Sequence, residues 1–491
     1  MTKPFDTLLE KFREISALEQ ISGQLGWDQE TMMPQKGAQM RAVQNGVMAA
    51  VCHDKISDPD IGKLLGDIDV NNLDARGQAD FGEMRHRHDR AVKIPKALSV
   101  ALADTTTRAQ GVWADARGKD DFKSFAPILK EVLKLRREEA DCIKAAGQSD
   151  YDALLNDYEP GSTAQSIGAL FDELQPELRA LRAEIAEKAQ PEKLIGHFDK
   201  DEQMVLAREI AGIFQYPFEA GRIDVSTHPF SSGNFDDTRI TTRVDEADPL
   251  NCLYSTIHEV GHSVYEYGIS RDLMYRPSGV YASMGVHESQ SRLFENQVGR
   301  SRAFMDVLAP KMNERFGKTY APEELYRKIN AVSTGYIRTE ADEVHYNLHV
   351  ILRFGLEQDL INGALEVDDI ENEWNTRFER DFGLKVDRAS NGVLQDVHWS
   401  VGLFGYFPTY ALGNIYAGCL LEKLDQAVPD LYANISKGEN AMWITWLRDN
   451  IHQYGRLYSA EGLIEKATGK APSTQPLISY LRHKFGELYD L

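Results

Sequence analysis

Apolar residues recur at helical spacing along most of the chain. Positions three and four apart lie on one face of an α-helix, so this pattern predicts helices that each bury one face. The first stretch begins near Phe5 and ends in the polar cluster before Pro34, which breaks the pattern. Similar spacing predicts further helices over about 122–146, from about 164 to 188, and over about 249–268, 333–362 and 403–424, with more after Asn440. The chain is therefore expected to be mainly α.

One stretch departs from helical spacing. Ile223–Thr227 and Arg239–Val244 alternate and are rich in β-branched residues, which predicts two strands. A loop containing Ser231–Asn234 is expected to join them. The result would be a small β-sheet directly before the helix at 249–268. Such a sheet either offers an edge to an extended peptide or is a plain hairpin that supports the helix.

Charge and cysteine usage limit the classes of function. The formal net charge of −21 over 491 residues repels phosphates and anionic membranes, so neither nucleic acid nor a membrane is an expected partner. The four cysteines are far apart and include no Cys-x-x-Cys pair, which favours reduced thiols. The segment Met1–Asp6 lacks the apolar core of a signal peptide, and no apolar run approaches about 18 residues. We expect a soluble, cytoplasmic protein.

The strongest chemical signal is the stretch His258-Glu259-Val260-Gly261-His262. Residues i and i+4 share a helix face, so both imidazoles can reach one metal ion, while Glu259 can touch a water at that ion. The flanks favour a helix, with Asp248 as N-cap, Pro249 at the first position and Gly268 as the stop. The motif therefore predicts a catalytic zinc site on this helix.

A catalytic zinc takes three protein ligands and leaves one position open. Downstream candidates for the third ligand are Glu288, His287 and Glu295. Glu288 is preferred because a carboxylate is the usual companion of two histidines, and His287 is second. Alternatively, Arg292 at i+4 could hold the Glu288 carboxylate on the surface.

Several segments resemble the thermostable carboxypeptidase Taq family, the M32 metallocarboxypeptidases. They occur in family order along nearly the whole chain: Trp27–Pro34, His228–Phe230, Asp237–Thr241, His258–His262, His287–Gln290, Ile337–Asp342, Gly392–Trp399 and Gly405–Pro408. The resemblance implies an all-helical peptidase with a long groove, usually a homodimer, that accepts zinc or cobalt. It also implies removal of single C-terminal residues with broad specificity and poor cleavage next to proline.

The expected architecture is one catalytic domain over 1–491, elongated, with a deep groove between two lobes and one small β-sheet beside the zinc helix. It would comprise an N-terminal helical lobe over about 1–220, the β element over about 223–244 and the zinc-site helices over about 249–430.

The expected mechanism is metal-assisted peptide hydrolysis. His258, His262 and Glu288 would hold Zn²⁺, or Co²⁺, with Glu259 as general base. Tyr410, Tyr406 and His398 are candidates to donate a hydrogen bond to the oxyanion, and we prefer Tyr410. Each of these three could instead simply be packed in its aromatic stretch.

The terminal carboxylate of the peptide requires a cationic partner. Arg338, expected on the helix that begins near Ser333, is the first candidate, and Arg239 is the second. His228, Tyr406 and Tyr410 are possible helpers. A salt bridge from Arg338 to Asp342 would be the structural alternative.

Two other functions share some of these features. An endo-oligopeptidase or a dipeptidyl carboxypeptidase could use the same zinc site, and only the closed end of the groove would distinguish them. A helical binding protein with a vestigial metal site is the third hypothesis, although a purely structural site would not need Glu259.

Overall fold

The structure is a computed structural model that describes residues 3–192 and 194–491. The prediction for the segment Met1–Asp6 includes Met1 and Thr2, which lie outside the described residues. The helices, in chain order, are α1 (Lys3–Thr31), α2 (Ala38–Ile56), α3 (Pro59–Gly66), α4 (Ala75–Lys93), α5 (Lys96–Lys119), α6 (Phe122–Ile143), α7 (Asp150–Leu155), α8 (Ala164–Ala186), α9 (Lys200–Ile213), α10 (Pro249–Gly268), α11 (Met284–Arg292), α12 (Arg302–Phe316), α13 (Pro322–Ile329), α14 (Glu343–Ile361), α15 (Ile370–Phe382), α16 (Pro408–Ala427), α17 (Leu431–Ile435), α18 (Ala441–Asn450), α19 (Ala460–Thr468) and α20 (Gln475–Tyr489). The predicted mainly α fold is confirmed.

The strands are β1 (Ile223–Val225), β2 (Ser231–Asn234) and β3 (Asp237–Thr242). The sheet order is β1-β3-β2, with β1 parallel and β2 antiparallel to β3. The predicted small sheet is therefore present, but its topology is not the plain hairpin of two strands. The segment expected to be a loop is the strand β2.

The sheet packs against α10 through threonine hydroxyls on β3. Thr238 Oγ1 lies 2.7 Å from Ser263 Oγ, and Thr242 Oγ1 lies 3.0 Å from Ser255 Oγ. Both threonines are fully buried, so their hydroxyls require such partners. These contacts fix the sheet beside α10, as predicted.

The chain divides into two compact units, each built from three segments. One comprises the described residues of Met1–Val92, Glu192–Ile329 and Cys419–Pro472. The other comprises Lys93–Pro191, Asn330–Gly418 and Ser473–Leu491. We call them the first and second unit. The expected groove, and the extent of a single domain over 1–491, stay predictions.

The predicted start of α14 is wrong. Asp342 caps this helix by accepting hydrogen bonds from the backbone N–H groups of Val344 and His345, at 3.0 and 3.1 Å. Residues 331–342 are irregular apart from a 3₁₀ turn at Arg338–Glu340, so Arg338 does not lie on a long helix. Similarly, α16 begins at Pro408, a residue suited to a first helical position, and not near Leu403.

No helix among the described residues is long and apolar enough to cross a membrane. Cys52, Cys142 and Cys252 are free thiols, in keeping with the reduced cysteines expected from the sequence.

Candidate metal centre

Helix α10 presents His258 and His262 on one face. Its N-cap is Asp248, whose side chain accepts from the Leu250 N–H at 3.0 Å, and Pro249 follows at the first position. An apolar stripe beside the histidines is buried and consists of Leu253, Ile257, Val260 and Val264. The two imidazole rings lie 4.9 Å apart, as the i, i+4 spacing predicts.

Gly261 lets α11 approach α10 closely. A Cβ at this position would lie 2.7 Å from Ser291 Cα and 2.8 Å from the Gln290 carbonyl oxygen, too close for any side chain. The glycine between the histidines therefore allows the next helix to come within reach of them. Ser283 caps that helix by accepting from the Val286 N–H at 3.1 Å.

Glu288 turns its two carboxylate oxygens in different directions. Oε1 accepts from Arg292 Nε at 2.7 Å, the contact considered as an alternative to metal ligation. Oε2 lies 3.6 Å from His258 Nε2 and 3.5 Å from His262 Nε2. Arg292 therefore orients the carboxylate, and the second oxygen still faces both imidazoles.

These separations suit a tetrahedral metal ion. Two ligand atoms that each lie about 2.1 Å from a tetrahedral ion are about 3.4 Å apart. His258, His262 and Glu288 are the described residues whose ligand atoms come together in this way, all within 4.8 Å of one another. The side chains are largely buried and supply the two nitrogens and one oxygen typical of a catalytic zinc site.

Glu295 supports the first histidine. Its Oε2 lies 2.9 Å from His258 Nδ1, and its Oε1 lies 3.3 Å from an Arg300 nitrogen. Glu295 lies in a π-helical turn, Leu293–Val298, that continues α11. With Nδ1 held by a carboxylate, Nε2 of His258 is the nitrogen that faces the metal position.

Burial and neighbouring charges set the protonation of the candidate ligands. Burial and, after it, the neighbouring His287 lower the pKa of His262 to about 3. Burial alone would lower the pKa of His258, but the charges of Glu288 and Glu295 more than compensate, so that this pKa is raised. Burial alone would raise the pKa of Glu288, yet Arg292 and the two histidines hold this pKa well below its usual range. The carboxylate and the His262 imidazole are thus in the forms that bind metal.

Glu259 lies on the same helix as the histidines and is 7 % exposed. Burial raises its pKa to about 7, and the neighbouring Glu288 and Glu295 act in the same direction. His258 and a hydrogen bond with Ser231 of β2 act in the opposite direction. A carboxylate with a pKa near neutrality can both take and return a proton.

The Nε2 of His287 is directed at Glu266 and not at the three candidate ligand atoms. Its Nε2 lies 3.0 Å from Glu266 Oε1, and its ring stacks on His262. The geometry therefore favours Glu288 over His287 as the third ligand.

The second unit contains Arg338 in a buried ionic cluster. Its Nε and Nη2 donate to Asp396 Oδ1 at 3.1 and 3.0 Å, and its Nη1 donates to the Tyr346 hydroxyl at 3.0 Å. Arg353 donates to the other oxygen of Asp396 at 2.7 Å. The ionic partner of Arg338 is thus Asp396, not Asp342 as the alternative reading of the sequence required.

His398, Tyr406 and Tyr410 lie together in the same unit. His398 Nε2 is 3.4 Å from the Tyr410 hydroxyl, and the rings of Tyr406 and Tyr410 are 5.3 Å apart. The Arg338 guanidinium lies 5.0 Å from the Tyr410 ring centre. Burial lowers the pKa of His398 to about 4, so this imidazole is neutral near pH 7. The three aromatic candidates and Arg338 thus form one cluster.

Arg239 and His228 belong to the first unit. Arg239 forms a bidentate pair with Asp237, at 2.7 and 2.9 Å, and lies over the Trp27 ring. His228 is exposed in the loop before β2, and its carbonyl oxygen accepts from Ser226 at 2.7 Å.

The sequence did not assign supporting roles to Ser231, Glu295 or Asp396. The spacing of Glu288, Arg292 and Glu295 (i, i+4, i+7) would have placed all three on one helix face. Asp396 lies 58 residues from Arg338, so no local pattern indicates their pairing.

The comparisons with known proteins all indicate the same family over nearly the full length of the chain. A family model described as carboxypeptidase Taq (M32) metallopeptidase matches residues 7–485. Thermostable carboxypeptidase 1 of Thermus thermophilus is 37% identical over 504 residues, covering 99% of each chain. Among solved structures, the M32 carboxypeptidase of Deinococcus radiodurans R1 has a TM-score of 0.95 at 35% identity, covering 100% of each chain. Metallocarboxypeptidase 1 of Trypanosoma cruzi has a TM-score of 0.96 at 33% identity, covering 99% of this chain and 100% of that one.

Proposed function

Because this chain belongs to the carboxypeptidase Taq (M32) metallopeptidase family, we propose that it removes single residues from peptides with a free C-terminal carboxylate, with broad specificity. The observation that carries the proposal is the position of Glu288 Oε2, which faces the Nε2 atoms of both His258 and His262. Glu259, buried on the same helix, supplies the proton acceptor that a hydrolase needs and a structural site does not.

We propose Zn²⁺ as the resident ion, with Co²⁺ as a substitute that supports activity. Two imidazoles and one carboxylate suit these ions better than Mg²⁺ or Ca²⁺, which prefer oxygen ligands. When bound, such an ion would supply the Lewis-acid polarisation of the scissile carbonyl and of the attacking water.

Glu259 takes a proton from the attacking water and returns it to the leaving amine. The near-neutral pKa of its buried carboxyl group suits both steps. Ser231 of the adjacent strand hydrogen-bonds to this side chain and stabilises its charged form.

Tyr410 donates its hydroxyl hydrogen bond to the oxyanion that forms at the former carbonyl. The nearby His398 is neutral, and the 3.4 Å contact joins its Nε2 to the Tyr410 hydroxyl. A neutral donor stabilises the developing negative charge without bringing a further charge into the site. Tyr406 packs edge-on against Tyr410 and is its alternative in this role.

Arg338 binds the terminal carboxylate of the peptide. Its contacts with Asp396 and Tyr346 account for three of the five N–H groups of a guanidinium, so donors remain for a substrate oxygen. Asp396 fixes the plane of the guanidinium group, which favours two-point recognition of a carboxylate. Arg239 is the second candidate for this role, with His228 as a helper.

We also propose that the protein forms a homodimer and is located in the cytoplasm. The cytoplasmic location is favoured by the free thiols of Cys52, Cys142 and Cys252.

A time course of peptide digestion, read by mass spectrometry, tests the proposed activity. We expect a ladder in which one C-terminal residue is lost at each step. A chelator should stop the reaction, and added Zn²⁺ or Co²⁺ should restore it. Internal fragments would indicate an endo-oligopeptidase, and losses of two residues a dipeptidyl carboxypeptidase. Full activity in a preparation shown by elemental analysis to be metal-free would overturn the metallopeptidase mechanism.

A further inference from the structure

His262 and His287 form a face-to-face ring stack beside the proposed metal centre. Their ring centres lie 4.4 Å apart, and the planes differ by 17°. His262 comes from α10 and His287 from α11, so the stack joins the two helices that carry the proposed ligands. Both side chains are largely buried. The orientation of the His262 ring is therefore constrained by its neighbour.

The two proposed histidine ligands are supported in different ways. His258 has the Glu295 carboxylate at 2.9 Å from its Nδ1. The Nδ1 of His262 is buried and has no hydrogen-bond partner among the described residues. A metal-binding histidine is usually oriented by a hydrogen bond from its second nitrogen. For His262, ring stacking is the contact that can take over this role.

The position of His287 is itself fixed. Its Nε2 lies 3.0 Å from Glu266 Oε1, and Glu266 is four residues after His262 on the same helix. The Tyr281 ring lies 4.7 Å away and is tilted by 59°. These contacts hold the His287 ring parallel to that of His262. Two nitrogens on parallel, stacked rings do not both point at one ion, so the stack also argues against His287 as a ligand.

We propose that His287 is a positioning residue that holds the His262 ring in its metal-binding orientation by stacking on it. This role rests on the proposed metal centre of His258, His262 and Glu288. It predicts that His262 needs the ring face of His287, and that packing against His262 and Tyr281 is enough to hold a flat ring there without the Glu266 hydrogen bond.

Two substitutions separate these properties. His287→Phe keeps a flat ring but loses both nitrogens, whereas His287→Leu fills similar space without a ring face. Competition with a chromophoric chelator measures the affinity for Zn²⁺ directly, without the activity of the enzyme. We expect His287→Leu to bind Zn²⁺ about 10- to 100-fold more weakly than the wild type. His287→Phe should bind it almost as tightly as the wild type.

The visible absorption spectrum of the Co²⁺ form supplies the second readout. His287→Phe should leave its bands unchanged, because the ligands are unchanged. His452→Phe is the matched control: His452 is a buried imidazole near Tyr265 that hydrogen-bonds to Gln290, and its loss should not alter the Zn²⁺ affinity. Thermal unfolding shows that each variant is folded.

The outcomes distinguish this role from the metal centre itself. A wild type that binds no Zn²⁺ overturns the metal centre and the role with it. A wild type that binds Zn²⁺, with His287→Leu binding it equally tightly, overturns the role alone. His287→Phe binding as weakly as His287→Leu also overturns the role. An altered Co²⁺ spectrum in His287→Phe would then identify His287 as a ligand.

Discussion

Nδ1 of His258 lies 2.9 Å from Oε2 of Glu295, a residue that the sequence offered only as a possible metal ligand. Burial acts to raise the pKa of Glu295, but the His258 hydrogen bond and Arg292 bring it down to about 2. The group is therefore a carboxylate near neutral pH. A permanent acceptor at Nδ1 keeps the proton of His258 on that nitrogen and leaves Nε2 available for metal.

Glu295→Gln should weaken Zn²⁺ binding by about 10- to 100-fold, because the amide is a poorer acceptor for the His258 N–H. Titration of the metal-free protein with Zn²⁺ measures the change. Asp306→Asn removes an exposed carboxylate on α12 and serves as control for the loss of one charge. Equal affinity in Glu295→Gln and Asp306→Asn would show that Glu295 does not support the ligand.

Glu259→Gln should keep the metal content of the wild type and lower kcat by about 10²- to 10⁴-fold, because the proposed general base is lost while the proposed ligands remain. Metal analysis and steady-state kinetics on the same preparation measure the metal content and kcat, respectively. Substantial activity at full Zn²⁺ occupancy would mean that another group removes the proton.

Ser231→Ala extends this test to the pH profile. The Ser231 hydrogen bond lowers the pKa of Glu259, so its removal should raise that pKa. Glu259 must be deprotonated to act as a base. The acid limb of kcat/KM should therefore move to higher pH, and an unmoved limb would count against Glu259 as the titrating group.

The sequence predicted those parts of the fold and site that depend on near neighbours. Helix α10 was predicted with its cap and stop because Asp248, Pro249 and Gly268 lie at its ends. Strand β2 was missed because Ser231–Asn234 has no β-branched residue and becomes a strand only by pairing with β3. The start of α14 was missed because apolar spacing does not reveal that Asp342 caps the chain there.

Supporting contacts between residues that lie far apart along the chain could not be predicted from the sequence. Glu357 illustrates this: its carboxylate accepts from the Tyr151 hydroxyl, the Trp399 indole and the Gly405 N–H, each at 3.0 Å. Tyr151 lies 206 residues away along the chain. No periodicity could indicate that these groups meet.

Glu357 should make stability depend on pH. Burial raises its pKa from 4.5 to about 7, even though its three donors act in the opposite direction. The folded protein therefore binds this proton more tightly than the unfolded chain does. Its contribution to the free energy of unfolding is fully present below about pH 4.5 and is lost as the pH rises to about 7.

Glu357→Gln should remove this dependence. The unfolding free energy of the wild type minus that of the variant should fall by up to about 3 kcal/mol between pH 4.5 and 7. Urea unfolding at several pH values measures it, with the exposed Glu366→Gln as control. A difference that stays constant or grows with pH would contradict a raised pKa for Glu357.

The last prediction concerns how the enzyme distinguishes the end of a peptide from its interior. An exopeptidase must bind a terminal carboxylate, and a guanidinium can do so with two hydrogen bonds. Arg338→Ala should lower kcat/KM for peptides with a free C-terminus by at least about 30-fold, while bound Zn²⁺ stays unchanged. Amidation of the C-terminus should impair the wild type about as much but cost Arg338→Ala little more, because both changes remove the same ion pair. Arg239→Ala tests the second candidate, and we expect a smaller loss because that guanidinium is already paired with both oxygens of Asp237. If Arg239→Ala alone abolishes the preference for a free carboxylate, Arg239 is the receptor. If the wild type cleaves free and amidated peptides equally well, neither arginine recognises the terminal carboxylate. The proposed carboxypeptidase activity is then wrong, and the endo-oligopeptidase hypothesis takes its place.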